Sequence, residues 1–305
     1  MTITRRAFVV SMAVSGMTAK FVRQGAATFP LGLPPGLQLW TVQDELRANA
    51  AVTLRALSRM GIRELELFEL PRAPREFRKQ CEDLGLSLVS GHFYLQSLAN
   101  AKTLDAAHVL GLKYMIVVFP TLRSLKDRDI SGMSVKELMP LYEKITLDDY
   151  RWNAEQFNTY GEQLAREGFQ LGYHNHAVDL KRLDGKIALD TLIDETRPEL
   201  MVFEMDTGHV IHAGKDPIQY LEKYPTRIQL LHLKDLEPGY HISARIDTEE
   251  MDTNAELGSG VINWPSLFAA AARGNVKHWF IEHEGRMSHP TMIAVANSLR
   301  YLKSI

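Results

Sequence analysis

The sequence predicts a single (β/α)8 TIM barrel on three observations. Short apolar runs alternate with amphipathic stretches from residue 36 onward, eight such runs occur, and glycines punctuate the helix ends. A length of 305 residues would also allow two domains at about 150 residues each, but one barrel of about 250 residues accommodates all eight units. An open doubly wound sheet is the alternative, and no GxGxxG follows the first strand to support its dinucleotide-binding form.

The strand candidates, in order, are Gly36–Trp40, Glu64–Phe68, Ser87–His92, Tyr114–Val118, Gln170–His176, Met201–Asp206, Ile228–Lys234 and Val276–His283. Helical periodicity marks Leu46–Met60, with apolar Leu46, Leu54, Leu57 and Met60, then Arg75–Leu84, Thr103–Leu110, Thr146–Glu167, Pro217–Lys223 and Trp264–Arg273. Gly61, Gly85, Gly111, Gly168 and Gly274 stand just past helix ends, where a left-handed residue is wanted. Two connections are long, Pro120–Leu147 after the fourth strand and Asp235–Ile262 after the seventh, the latter with an acidic Asp247-Thr248-Glu249-Glu250 run. Both are expected on the C-terminal face, where barrels bind substrate.

Residues 1–27 read as an address, and residues 28–305 as the barrel domain. Arg5-Arg6-Ala7-Phe8-Val9 has the pattern of a twin-arginine export signal, a short apolar stretch follows to Ala19, and Gly25-Ala26-Ala27 suits signal peptidase. A periplasmic or extracellular location is the expectation. Cleavage would remove Arg5, Arg6, Lys20 and Arg23 but no acid, leaving 31 basic and 37 acidic residues, a net charge of −6. That balance argues against a nucleic-acid partner. No apolar run reaches the ~18 residues of a membrane span. The single Cys81 excludes an intramolecular disulfide and a CxxC zinc site.

Chemistry-bearing side chains collect at the strand ends. The fifth strand ends Tyr173-His174-Asn175-His176, the sixth Glu204-Met205-Asp206 before Thr207-Gly208-His209, the seventh His232-Leu233-Lys234-Asp235, and the eighth Glu282-His283-Glu284. One imidazole or carboxylate from each of four consecutive strands builds a nitrogen/oxygen metal site with positions left for substrate. Side-chain alternation selects His174, Asp206, His232 and Glu282 as ligands of a divalent ion, with Mn²⁺, Co²⁺, Mg²⁺ and Zn²⁺ all admissible. His176, His209, Lys234 and Glu284 then stand around the ion or face substrate. Gln38, Trp40, Glu66 and His92, ending strands one to three, complete a substrate-binding rim.

These segments resemble the sugar phosphate isomerase/epimerase superfamily, the xylose isomerase-like TIM barrels. The resemblance rests on Leu37-Gln38-Leu39-Trp40-Thr41-Val42, Leu171-Gly172-Tyr173-His174-Asn175-His176, Glu204-Met205-Asp206-Thr207-Gly208-His209, Leu231-His232-Leu233-Lys234-Asp235 and Gly258-Ser259-Gly260-Val261-Ile262-Asn263-Trp264. It implies a divalent-metal site on the four positions already selected. Epimerases of that superfamily place a glutamate where this chain has His174, so the symmetric two-carboxylate mechanism loses a partner. The Asp-Thr-Gly-His and His-Leu-Lys-Asp segments look like those of inosose dehydratases, with 3-keto-glycoside lyases and hydratases similar.

The expected function is therefore metal-dependent enolisation of a sugar, cyclitol or keto-sugar, as an isomerase or a carbon–oxygen lyase. Glu282, His176 or His209 would move the proton and Lys234 would bind or polarise an oxygen. Two rivals are an exported sugar-binding barrel without chemistry and a metal-dependent nuclease of related fold. The nuclease would demand further His and carboxylate ligands for a multi-metal cluster, and a basic groove.

Overall fold

A computed structural model describes residues 29–126, 133, 135–245 and 254–305. Residues 1–27, expected to be an export signal, and the acidic run 247–250 lie outside the described residues. Eight parallel strands close into one barrel: β1 (Gly36–Gln38), β2 (Glu64–Leu67), β3 (Ser87–Phe93), β4 (Tyr114–Val117), β5 (Gln170–His174), β6 (Met201–Asp206), β7 (Ile228–Leu233) and β8 (His278–Ile281). Each strand pairs with its sequence neighbours, and β8 closes on β1 through Gly36 opposite Phe280 and Leu37 opposite Ile281.

The helices are α1 (Gln43–Met60), α2 (Pro74–Asp83), α3 (Ala101–Leu110), α4 (Val135–Tyr142), α5 (Leu147–Arg166), α6 (Ala188–Glu195), α7 (Thr207–His212), α8 (Pro217–Lys223), α9 (Trp264–Ala271) and α10 (Thr291–Leu302). Their apolar faces and the outward faces of the strands form the main core, with Leu54, Leu57, Phe157, Leu192, Leu267 and Leu299 among its members. A separate apolar plug of Val89, Tyr114, Ile116, Val202, Leu230 and Phe280 fills the barrel's lower interior. Two glycines make room for it. A Cβ on Gly36 would lie 2.6 Å from the Phe280 ring, and one on Gly172 2.4 Å from Ile116 Cδ1.

The differences from the sequence reading are local. The Pro120–Leu147 connection contains α4, and the start of the Asp235–Ile262 connection pairs antiparallel, Asp235–Leu236 with Asn254–Ala255. Gly274 is not left-handed. It is required because Pro225 O would stand 2.8 Å from a Cβ there. β5 stops at His174 because the next residues turn into a 3-10 helix, Ala177–Leu180, with the Asp179 carboxylate accepting the His176 N–H at 2.8 Å. Cys81 is a buried free thiol whose pKa burial raises to about 12, which leaves it unreactive.

Candidate metal centre

Register decides which polar residues meet. Asp206 is the Cα neighbour of His232, and His174 of Glu204. Two of the eight strand pairings carry a register shift, at Leu65/Glu66 between β2 and β3 and at Phe203/Glu204 between β6 and β7. Both fall at a glutamate, and such irregularities re-aim side chains. Above the apolar plug, the barrel therefore fills with imidazoles and carboxylates.

His174, Asp206, His232 and Glu282 are all buried, and one donor atom from each lies within 4.8 Å of the others. His232 Nδ1 is 3.0 Å from Glu282 Oε2 and 4.0 Å from Asp206 Oδ2. Lys234, itself 1% exposed, places Nζ 3.0 Å from Asp206 Oδ2, 3.0 Å from Glu282 Oε2, 2.7 Å from Glu284 Oε2 and 3.2 Å from His209 Nε2. The donor set fits a divalent ion on two grounds. It offers two nitrogen and two carboxylate ligands, as such ions prefer, and two of its buried atoms, His174 Nδ1 and Asp206 Oδ2, make no hydrogen bond of acceptable geometry.

Gln38, Glu66 and His92, expected at the rim, lie deeper. Glu66 is completely buried, and its Oε1 stands 2.6 Å from His232 Nε2, 2.8 Å from Gln38 Nε2 and 3.0 Å from His92 Nε2. Ser90 donates to the other oxygen at 2.5 Å. Trp40 sits in the turn after β1, half-buried, edge-on to Phe68 at 5.6 Å, and its backbone N–H donates to Gln38 Oε1. It does not join the His/carboxylate cluster. His176 and His209 do approach it, their rings 4.6 Å apart, and Phe119 stacks on His176 at 4.1 Å.

The charges of the cluster follow from burial and neighbours. Burial, with His232, His176 and His92 nearby, drives His174 well below its ordinary pKa, so its imidazole is neutral. Burial also lowers His176 and His209, assisted by each other's proximity and Lys234 for the first and by Lys234 for the second. Burial opposes a proton on His92 too, but Glu66 and Glu204 raise it to about 9. The carboxylates of Glu204, Glu282 and Glu66 likewise outweigh burial at His232 and raise it well above the ordinary value. Against its burial, Glu282 is held ionised by Lys234 and His232. Burial pulls the Asp206 carboxyl up against the opposing Lys234 ammonium.

Sequence reasoning assigned no role to four residues that matter here. Glu204 is fully buried among His92, His174 and His232. Its signal was present in the alternation, since it lies two residues before Asp206 on the same face. Asn175 Oδ1 accepts the Asp206 N–H, and Thr207 Oγ1 accepts the Lys234 N–H while lying 2.8 Å from Lys234 O, so both fix backbone that carries the site. Phe119 covers one face of His176.

Three comparisons agree with this architecture. Residues 54–305 match the family model described as the xylose isomerase-like TIM barrel. Inosose dehydratase 2 of Bacillus cereus (strain ZK / E33L) is 25% identical over 286 residues, covering 86% of this chain and 93% of that protein. The crystal structure of a sugar phosphate isomerase/epimerase from Parabacteroides distasonis ATCC 8503 superposes with a TM-score of 0.70 at 24% identity, over 88% of this chain and 93% of that one. The crystal structure of the IOLI protein with a bound zinc atom gives a TM-score of 0.66 at 11% identity, over 89% and 98% of the two chains. With four-fifths of its length matched, this chain belongs to the xylose isomerase-like TIM barrel family and is an enzyme of the sugar isomerase/epimerase superfamily.

Proposed function

We propose that the protein is a metal-dependent enzyme that enolises a keto-sugar or keto-cyclitol and expels a β-oxygen, a carbon–oxygen lyase. The observation that carries this reading is the convergence of His174, Asp206, His232 and Glu282 beneath a second tier of Lys234, His176 and His209. A divalent ion held by the first four would supply Lewis acidity to two neighbouring substrate oxygens. The relationship to an inosose dehydratase, and the zinc in the IOLI structure, support the lyase and the metal respectively.

The rest of the chemistry belongs to side chains of this chain. His176 and His209 are neutral imidazoles, each able to take the acidic proton beside a carbonyl. The Lys234 ammonium, fixed by three carboxylates on a backbone whose N–H is held by Thr207, donates to an oxygen that gains negative charge. With an imidazole at His174 in place of a second facing carboxylate, one base serves one face of the substrate. That geometry suits elimination better than transfer of a proton across a ring carbon. Gln38 and Glu66 are assigned to holding His92 and His232, and Trp40, with Glu284, to the substrate side. The twin-arginine pattern of residues 5–9 supports action outside the cytoplasm.

The test is to load the protein with Mn²⁺, Co²⁺ or Zn²⁺ in D₂O and offer inosose, 3-keto-glycosides and free ketohexoses. Deuterium exchange beside the carbonyl together with loss of water or alkoxide from a keto substrate is expected. Robust epimerisation of an unmodified ketose, with no elimination from any 3-keto compound, would overturn the reading.

A further inference from the structure

Two imidazoles stand beside the expected metal position, and their surroundings differ. His209 Nε2 lies 3.2 Å from Lys234 Nζ. An ammonium has no lone pair to offer, so this nitrogen presents its own and the ring carries its proton on Nδ1. Turned in this way, His209 is a donor whose basic nitrogen is occupied. His176 has no such fixture. Its Nδ1 is buried and makes no hydrogen bond, and its ring lies 5.0 Å from that of His174.

Two contacts hold His176 instead. Phe119 stacks on its ring at 4.1 Å with the planes 19° apart, and Asp179 Oδ2 accepts its backbone N–H at 2.8 Å. Both contacts trace back to one face of α5. Tyr150 donates to Asp179 Oδ1 at 2.6 Å, joined by Tyr173 at 2.9 Å. Asn153 accepts the Thr121 N–H at 2.8 Å and donates to Thr121 O at 2.7 Å, two residues beyond Phe119. Tyr150 and Asn153 are both completely buried, and residues three apart share a helix face. These bonds land on the residues that flank the stack. The loops after β4 and β5 are therefore locked in mutual register where Phe119 meets His176.

We infer that His176 is the base, and that Phe119 and Asp179 are its positioning residues, tied together through Tyr150 and Asn153; this rests on the elimination proposed above. His176 takes the proton beside the carbonyl while the C–H electron pair enters the enolate. That pair then expels the β-oxygen, which leaves with the proton His176 received. One ring moves the proton in both directions, so its placement is critical, and a displacement of about 1 Å costs on the order of a hundredfold in rate.

The experiment measures kcat and KM for elimination, and deuterium exchange from D₂O, on the metal-loaded protein with inosose and 3-keto-glycosides. His176→Ala is expected to lower kcat by at least about a hundredfold and to recover in part with added imidazole. Phe119→Leu and Asp179→Ala should each lower kcat on the order of tenfold, with KM changed less than about twofold. Neither should lower kcat further in the His176→Ala background. Asp179→Asn, which keeps an acceptor for the His176 N–H, should recover most of the loss. If Asp179→Ala does not fold, Phe119→Leu with and without His176 carries the result. Losses as large without His176 as with it would make both contacts merely structural, and imidazole rescue of His209→Ala in place of His176→Ala would move the base to His209. Either result overturns the inference while leaving the proposed function intact. A wild type that neither exchanges nor eliminates overturns the proposed function and the inference with it.

Discussion

Asp206 caps the helix that carries His209. Its Oδ1 accepts the His209 N–H at 2.8 Å, while Oδ2 lies 3.0 Å from Lys234 Nζ, so one carboxylate serves both local structure and the site. The two roles can be separated. Asp206→Asn keeps a capping oxygen and should lose the metal with little change in thermal stability. Asp206→Ala should lose the metal and also about 1 kcal/mol of stability from the missing cap. Metal analysis and thermal unfolding of both variants check this, and equal metal in either variant and the wild type would remove Asp206 from the ligands.

Lys234 holds the charge balance before any ion arrives. Lys234→Met leaves the buried Asp206 carboxylate without its nearest cation and Glu282 with His232 alone, a change that costs about 3–5 kcal/mol in such settings. The metal-free variant should therefore unfold well below the wild type. Added Zn²⁺ or Mn²⁺ should raise its melting temperature more than it raises that of the wild type. A metal-induced rise no larger than in the wild type would show that Lys234 and the ion do not share these carboxylates.

Gly208 is where the chain lets Lys234 through. A Cβ there would lie 2.7 Å from Lys234 Cγ and 2.8 Å from Cδ. Gly208→Ala is expected to displace the ammonium and reduce kcat at least tenfold, with overpacking costing about 1–3 kcal/mol. The strand-borne ligands should keep their metal. Unchanged kcat would mean that the position of Lys234 Nζ is not used in turnover.

Asp179 should make stability depend on mildly acidic pH. Burial raises its carboxyl from 3.8 to about 6, despite hydrogen bonds from Tyr150, Tyr173 and the His176 backbone. The folded carboxyl holds its proton up to about pH 6, whereas the unfolded chain releases it near 3.8. Between these values the folded state binds more protons, so stability falls as pH rises and levels off above 6. The full contribution is about 3 kcal/mol. Urea unfolding of the wild type and Asp179→Asn from pH 4 to 7 checks it: the variant should lack this slope, and identical slopes would assign the pH dependence elsewhere.

The sequence was most legible where a period and a terminator coincide. Met201–Asp206 and Pro217–Lys223 were readable to the residue because an apolar run ending at Asp206 before Thr207-Gly208, or a proline at the first turn, leaves little choice. Helix α4 was not, because Pro140 lies inside it and the sequence argues for a break there. In the site, alternation showed which face Glu66 and Glu204 occupy but not how deep they sit. Depth depends on strand tilt and on the two register shifts at those glutamates, which depend on partners elsewhere in the chain. The same limit hid the distinction between rim and interior for Gln38 and His92.

Asp235 gathers the two ends of the connection after β7. Its carboxylate accepts the N–H groups of Leu236, Gly258 and Ile262 and the Trp264 indole N–H, the last at 2.8 Å. Gly260 must lack a side chain for this to happen, since a Cβ would stand 2.2 Å from Asp235 Oδ1. Departure and return of the chain are thus clamped to one residue beside Lys234, at the place where Asp235–Leu236 pairs with Asn254–Ala255. Any side chain at Gly260 would therefore release both ends of the connection at once, so a single methyl group there reaches the backbone next to Lys234.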